Sequence, residues 1–148
     1  MKTLLISTTL ATFVATSVFA AGTPGAGFFQ SWDENQDGMV TLAEITEKRE
    51  NVFVTFDENG DGVITAEEYV AFDETRAADQ ANEAQGGKGH GNNANRVKPS
   101  IGMTLEFNDV DGNSEVSQAE FVGQSGAWFE LLDRNGDGAV NSGDFGRP

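Results

Sequence analysis

Two twelve-residue segments, 33–44 and 57–68, carry oxygen-bearing residues at the same positions, and only twelve residues separate them. In the first, Asp33, Asn35 and Asp37 stand at positions 1, 3 and 5, with Glu44 at position 12. In the second, those positions hold Asp57, Asn59, Asp61 and Glu68. Gly38 and Gly62 take position 6, where a sharp turn needs a glycine, and Met39 and Val63 offer backbone carbonyls at position 7. A hard divalent cation requires several oxygens converging from one short loop, and Asp and Asn are short enough to reach inward without filling it. The pattern predicts cation-ligating loops. Its recurrence at an offset of 24 residues makes coincidence a poor explanation.

The spacer is the sharper constraint. Twelve residues, 45–56, make about 18 Å of helix, so one helix must leave the first loop and lead into the second. Ile45, Val52, Phe53 and Phe56 lie on one face of it and read as core. A rigid helix holds the two loops at its opposite ends and prevents them from bridging each other. Val40 and Ile64, at position 8, must then find β-bridge partners elsewhere in the chain.

The second half repeats the arrangement. Segment 109–120 offers Asp109, Asp111, Asn113 and Glu120, with the Glu115 carbonyl at position 7. Position 6 is Ser114, whose side chain is strained at positive φ, so this loop is expected to be weakened or distorted. Segment 133–144 offers Asp133, Asn135, Asp137, the Ala139 carbonyl and Asp144. Asp144 is shorter than the usual Glu, which lowers calcium affinity or favours six-coordinate magnesium. A spacer of the same length, 121–132, joins these loops, and Gly123 and Gly126 within it predict more bending than in 45–56. Val140 and Val116 stand at position 8 of these two loops.

Outside the loops, 1–20 reads as a secretory signal peptide. Lys2 gives a basic start, an apolar run follows, and Val18-Phe19-Ala20 forms a small-residue cleavage site. Phe28, Phe29 and Trp32 predict a short helix before the first loop. After Glu68 a helix should continue to about Ala84 and end at Gly86-Gly87, giving one unit over 21–85. Residues 86–99 have linker composition and hold Lys88, His90, Arg96 and Lys98, with His90 read as a solvated linker residue. The second unit, 100–148, should begin with Ser100 as an N-cap and with Met103, Leu105 and Phe107 available for packing. The expected core collects Phe28, Phe29, Trp32, Phe53, Phe56, Tyr69, Phe72, Phe121, Trp128 and Phe129.

Without residues 1–20 the chain has 24 acidic and 8 basic residues, a formal charge of −16. That disfavours nucleic acid and anionic membranes as partners. Sixteen of the acids fall inside the four segments, where cations would relieve their repulsion. The chain has no cysteine, so neither disulfides nor thiolate ligands contribute. An enzyme is the weakest reading, because the clustered carboxylates are claimed as ligands and the one histidine lies among glycines.

These four segments resemble the calcium loops of the EF-hand superfamily, over most of 28–84 and 101–145. The resemblance implies an all-α fold of helix-loop-helix units with short β-bridges between loops, Ca2+ as ligand and no catalysis. The leader and the twelve-residue spacers are further similar to lanmodulin-type proteins, exported bacterial EF-hand proteins that bind lanthanides, and that arrangement implies that Val40 pairs with Val140 and Ile64 with Val116. Loop chemistry departs from that group. Position 2 holds Glu34, Glu58, Val110 and Arg134 instead of proline, and position 9 holds Thr41, Thr65, Ser117 and Asn141 instead of an acid. The expectation is an exported calcium-binding protein, periplasmic or secreted, acting as a metal-stabilised buffer or structural binder. A calcium-dependent sensor and a lanthanide binder are the alternatives, and no protein partner is implied.

Overall fold

A computed structural model describes residues 24–86 and 99–145. The leader 1–20 and the linker residues Lys88, His90, Arg96 and Lys98 lie outside the described residues. Helix α1 (Ala26–Trp32) ends immediately before the first loop. Thr41 then starts α2 (Leu42–Phe56): its hydroxyl accepts from the Glu44 N–H while the Glu44 carboxylate accepts from the Thr41 N–H. This helix runs unbroken for about 22 Å to the second loop, as the spacer length requires. Strand β1 (Val63–Thr65) and α3 (Ala66–Gly86) follow, and the expected end of this helix at Gly86-Gly87 falls at the edge of the described residues.

The second half opens with a 3₁₀ turn (Pro99–Met103) and the one-turn α4 (Leu105–Asn108). Thr104, not Ser100, is the N-cap of α4, its hydroxyl accepting from the Phe107 N–H. Packing decides this: Gly102 lies so close to Trp128 that a Cβ there would stand 2.2 Å from the indole. The chain turns tightly past that ring and begins its α-helix only beyond it. Strand β2 (Glu115–Ser117) leads into α5 (Gln118–Gly123), capped by Ser117 and Glu120 in the manner of α2. Here the spacer does bend. It breaks at Gln124, between α5 and α6 (Ser125–Leu132), next to Gly123. At the end of the fourth loop a single turn, α7 (Ser142–Phe145), places Phe145 against Phe28 and Phe29.

The two loops of each half do not bridge each other, as the helix-length argument requires. Strands β1 and β2 pair antiparallel with Ile64 opposite Val116, and Val40 bridges Val140 through two backbone hydrogen bonds of 2.8 and 2.9 Å. All four of these side chains are fully buried. Each contributes about 1.5–3 kcal/mol on burial, so the bridges anchor the halves to each other as well as aligning the loops.

One core passes through both halves. Around the first and fourth loops, Trp128 meets Trp32 and Phe28 edge-on, with centroids 4.6 and 6.2 Å apart. Around the second and third, Phe72 meets Phe56, Tyr69 and Phe121 in the same manner at 4.4, 5.2 and 6.4 Å. Trp32, Phe56 and Phe129 are only partly buried, while Ile45, Leu132 and Met103 join the interior.

Candidate metal centre

Each loop is shaped by its own side chains. The position-1 carboxylate spans the turn: Asp33 accepts from the Asp37 and Gly38 N–H groups, and Asp57 from those of Asp61 and Gly62. Asp109 accepts likewise from Asn113 and Ser114, and Asp133 from Asp137 and Gly138, at 2.9–3.2 Å. At position 3, Asn35, Asn59, Asp111 and Asn135 each accept from the N–H of position 5. At position 5, Asp37, Asp61, Asn113 and Asp137 each accept from the N–H of position 7, borne by Met39, Val63, Glu115 and Ala139. Turns closed by such Asx side chains point the same oxygens inward four times over.

This frame demands a left-handed backbone at two positions. At position 6, Gly38, Gly62 and Gly138 have φ of 87–89°, and Ser114 adopts 68°. The third loop therefore keeps the frame, and the cost of Ser114 is carried as local strain of about 1 kcal/mol. Position 4 is positive as well, with Gly60, Gly112 and Gly136 at 70–76° and Gln36 at 58°. Ser114→Gly is expected to raise stability by about 1 kcal/mol, against the small entropic cost of a freer unfolded chain. A melting temperature equal to or below that of the parent would contradict this.

Position 12 distinguishes the loops. One oxygen of Glu44, Glu68 and Glu120 caps the following helix through residue 9, and one oxygen of Asp144 accepts from the Asn141 N–H. The second oxygen of Glu44 is buried and has no hydrogen-bond partner. An orphaned buried carboxylate oxygen fits a cation, which would supply the missing charge. In the third loop the corresponding oxygen of Glu120 swings across to the Val110 and Asp111 N–H groups, at 3.2 and 3.4 Å. This brings Asp109, Asp111 and Glu120 together, one ligand oxygen from each lying within 4.8 Å of the others. The Ser117 hydroxyl, then the backbone N–H groups of Ser117, Asp111 and Val110, hold the Glu120 carboxyl below its ordinary value of 4.5, so it is ionised at neutral pH. Asp144 closes the fourth loop similarly, accepting from the Arg134 and Asn135 N–H groups at 2.9 and 3.2 Å. Asp137 is lowered too, chiefly by the Ala139 N–H.

Among the described residues, the acids that lie close enough together to hold a metal are those of the third loop, Asp109, Asp111 and Glu120; the other three loops share its hydrogen-bond frame, and the bridges pair first with fourth and second with third. A sequence model of the EF hand matches residues 49–73 and 126–147, stretches that contain the second and fourth loops. This is an EF-hand protein. No curated protein matches the chain.

Beneath the EF-hand loops lies a feature that pattern reading missed. Arg49, in the middle of α2, is fully buried, with its guanidinium 4.1 Å from the Phe121 ring centroid and 5.4 Å from that of Trp128. It donates to the carbonyls of Phe121 and Gly102 and to the Asn108 side-chain oxygen. Asn108, also fully buried, donates to the Tyr69 hydroxyl at 3.1 Å. Burial lowers the Arg49 pKa to about 10, partly offset by Tyr69, which leaves it charged at neutral pH. The signal was present in the sequence: Arg49 lies four residues from both Ile45 and Phe53, on the buried stripe.

Proposed function

We propose that the chain binds four calcium ions, one in each of 33–44, 57–68, 109–120 and 133–144, and that this metal load stabilises its fold. The reading rests on the convergence of Asp109, Asp111 and Glu120, because three carboxylates so close together repel one another unless a cation lies between them. The hydrogen-bond frame repeated in all four loops extends it to the rest. Each loop offers three carboxylates among positions 1, 3, 5 and 12, and four divalent ions would bring the charge of −16 to −8.

An exported buffer or structural binder, periplasmic or secreted, accords with the leader and with sites that need only sub-millimolar affinity. Among the described residues no helix is long and apolar enough to cross a membrane. A sensor with a Met-rich groove fits less well: Met103 is buried in the core and Met39 is the other methionine beyond the leader. The bridging of loops one with four and two with three favours a second reading, a lanmodulin-like lanthanide binder, since that arrangement is the one its spacing implies.

Calorimetric titration of residues 21–148 with calcium, magnesium and lanthanum separates these readings. Four calcium equivalents, with magnesium competing best at the fourth loop, are expected. Two equivalents would overturn the four-site reading, and folding by lanthanum but not calcium would favour the second reading.

A further inference from the structure

We propose that Arg49 is a positioning residue for the ion of the third loop, setting the separation of its first and last ligands from beneath. The proposal rests on the reading that 109–120 binds metal. Asn108 immediately precedes Asp109, and Phe121 immediately follows Glu120. Arg49 holds both: its guanidinium donates to the Asn108 side-chain oxygen at 2.5 Å and, through two nitrogens, to the Phe121 carbonyl. That carbonyl belongs to the last turn of α5, where carbonyls have no donor within the helix, so the early break at Gln124 leaves it for the guanidinium. A third bond, to the Gly102 carbonyl at 2.6 Å, fixes the turn that leads into α4.

The identity of these residues argues for more than packing. Directly before the other three loops stand Trp32, Phe56 and Leu132; only here is the residue polar, and only here does a buried cation meet it. The partners of Arg49 are neutral oxygens and a methionine sulfur, so its planar fork is used to gather three chain segments and not to pair with an acid. A buried charge without a counter-ion is expensive, and apolar packing would serve stability better. What the fork supplies is a fixed distance across the mouth of the one loop whose position 6 is not glycine. Asn108 carries the link on to Tyr69, the first residue after the second loop, which ties the partners β1 and β2 together from below.

The test is a calcium titration of the full chain followed by amide NMR, with Gly38, Gly62, Ser114 and Gly138 as one reporter per loop. Arg49→Lys keeps the charge but cannot span three acceptors. It is expected to weaken calcium binding at the Ser114 reporter by about tenfold or more, the usual effect of losing a residue that orients metal ligands, with the Gly38 and Gly138 reporters moving far less. Asn108→Ala, which cuts only the leading side of the loop, should give a smaller loss with the same selectivity, and it carries the test if Arg49→Lys fails to fold. Equal losses at all four reporters, no loss at Ser114, or unfolding of both variants would overturn the proposal. A Ser114 reporter that does not titrate in the parent chain would instead overturn the four-site reading on which it rests.

Discussion

Adding calcium to the metal-free chain at ten times the dissociation constant of each site is expected to raise its melting temperature by about 20 °C. Each site then contributes about 1.4 kcal/mol by mass action, and four contribute about 6 kcal/mol. That equals a large part of the 5–15 kcal/mol by which a domain of this size is stable at all. For about 100 folded residues, each kcal/mol moves the melting temperature by roughly 4 °C or more. The structural reason is that the loops are not passive appendages. Capping of α2 and α5 uses Glu44 and Glu120, the same carboxylates that close the first and third loops, so loss of a cation loosens a helix start as well as a ligand ring. Helix content and melting temperature, followed by circular dichroism with and without chelator, measure the effect. A shift below about 5 °C would mean that fewer than two sites couple to folding.

Much of this was legible in the sequence because two constraints were geometric. Ligand spacing placed the oxygens of Asp57, Asn59, Asp61 and Glu68 without reference to anything distant. The twelve-residue spacer, converted to a helix length, forbade Val40 from meeting Ile64 and sent each to a partner in the other half; which partner came from the resemblance. What stayed illegible depended on contacts between the halves. Arg49 sits on the buried stripe, but the groups that enclose its charge, Asn108 and the Phe121 carbonyl, are each more than fifty residues away and invisible to periodicity. Ser100 looked like a cap because the ring that displaces the helix start, Trp128, lies beyond the next loop. Gln36 at positive φ was hidden for a different reason: the demand at position 4 shows only when the four loops are compared in three dimensions, and glycine meets it in the other three.

Trp128→Ala should cost about 4 kcal/mol, the usual penalty for emptying a buried tryptophan site. Its indole is almost wholly buried, lies edge-on to Trp32 and Phe28, and stacks beneath the Arg49 guanidinium. Gly102 is shaped to it so closely that no neighbour can move in to fill the void without shifting the 3₁₀ turn. The functional consequence follows from chain position. Trp32 is the residue before Asp33, and Trp128 stands on α6, which leads into Asp133. Their contact therefore holds together the helices that lead into the first and fourth loops, above which Val40 bridges Val140. Removing the ring should weaken calcium binding at Gly38 and Gly138 more than at Ser114, the reverse of the pattern expected for Arg49→Lys. Trp128→Phe keeps most of the volume and should lose less than half as much stability, because a ring edge remains for Trp32. If the alanine variant melts within a few degrees of the parent at saturating calcium, the aromatic cluster is not what joins the two outer loops, and the Val40–Val140 bridge must carry that role alone.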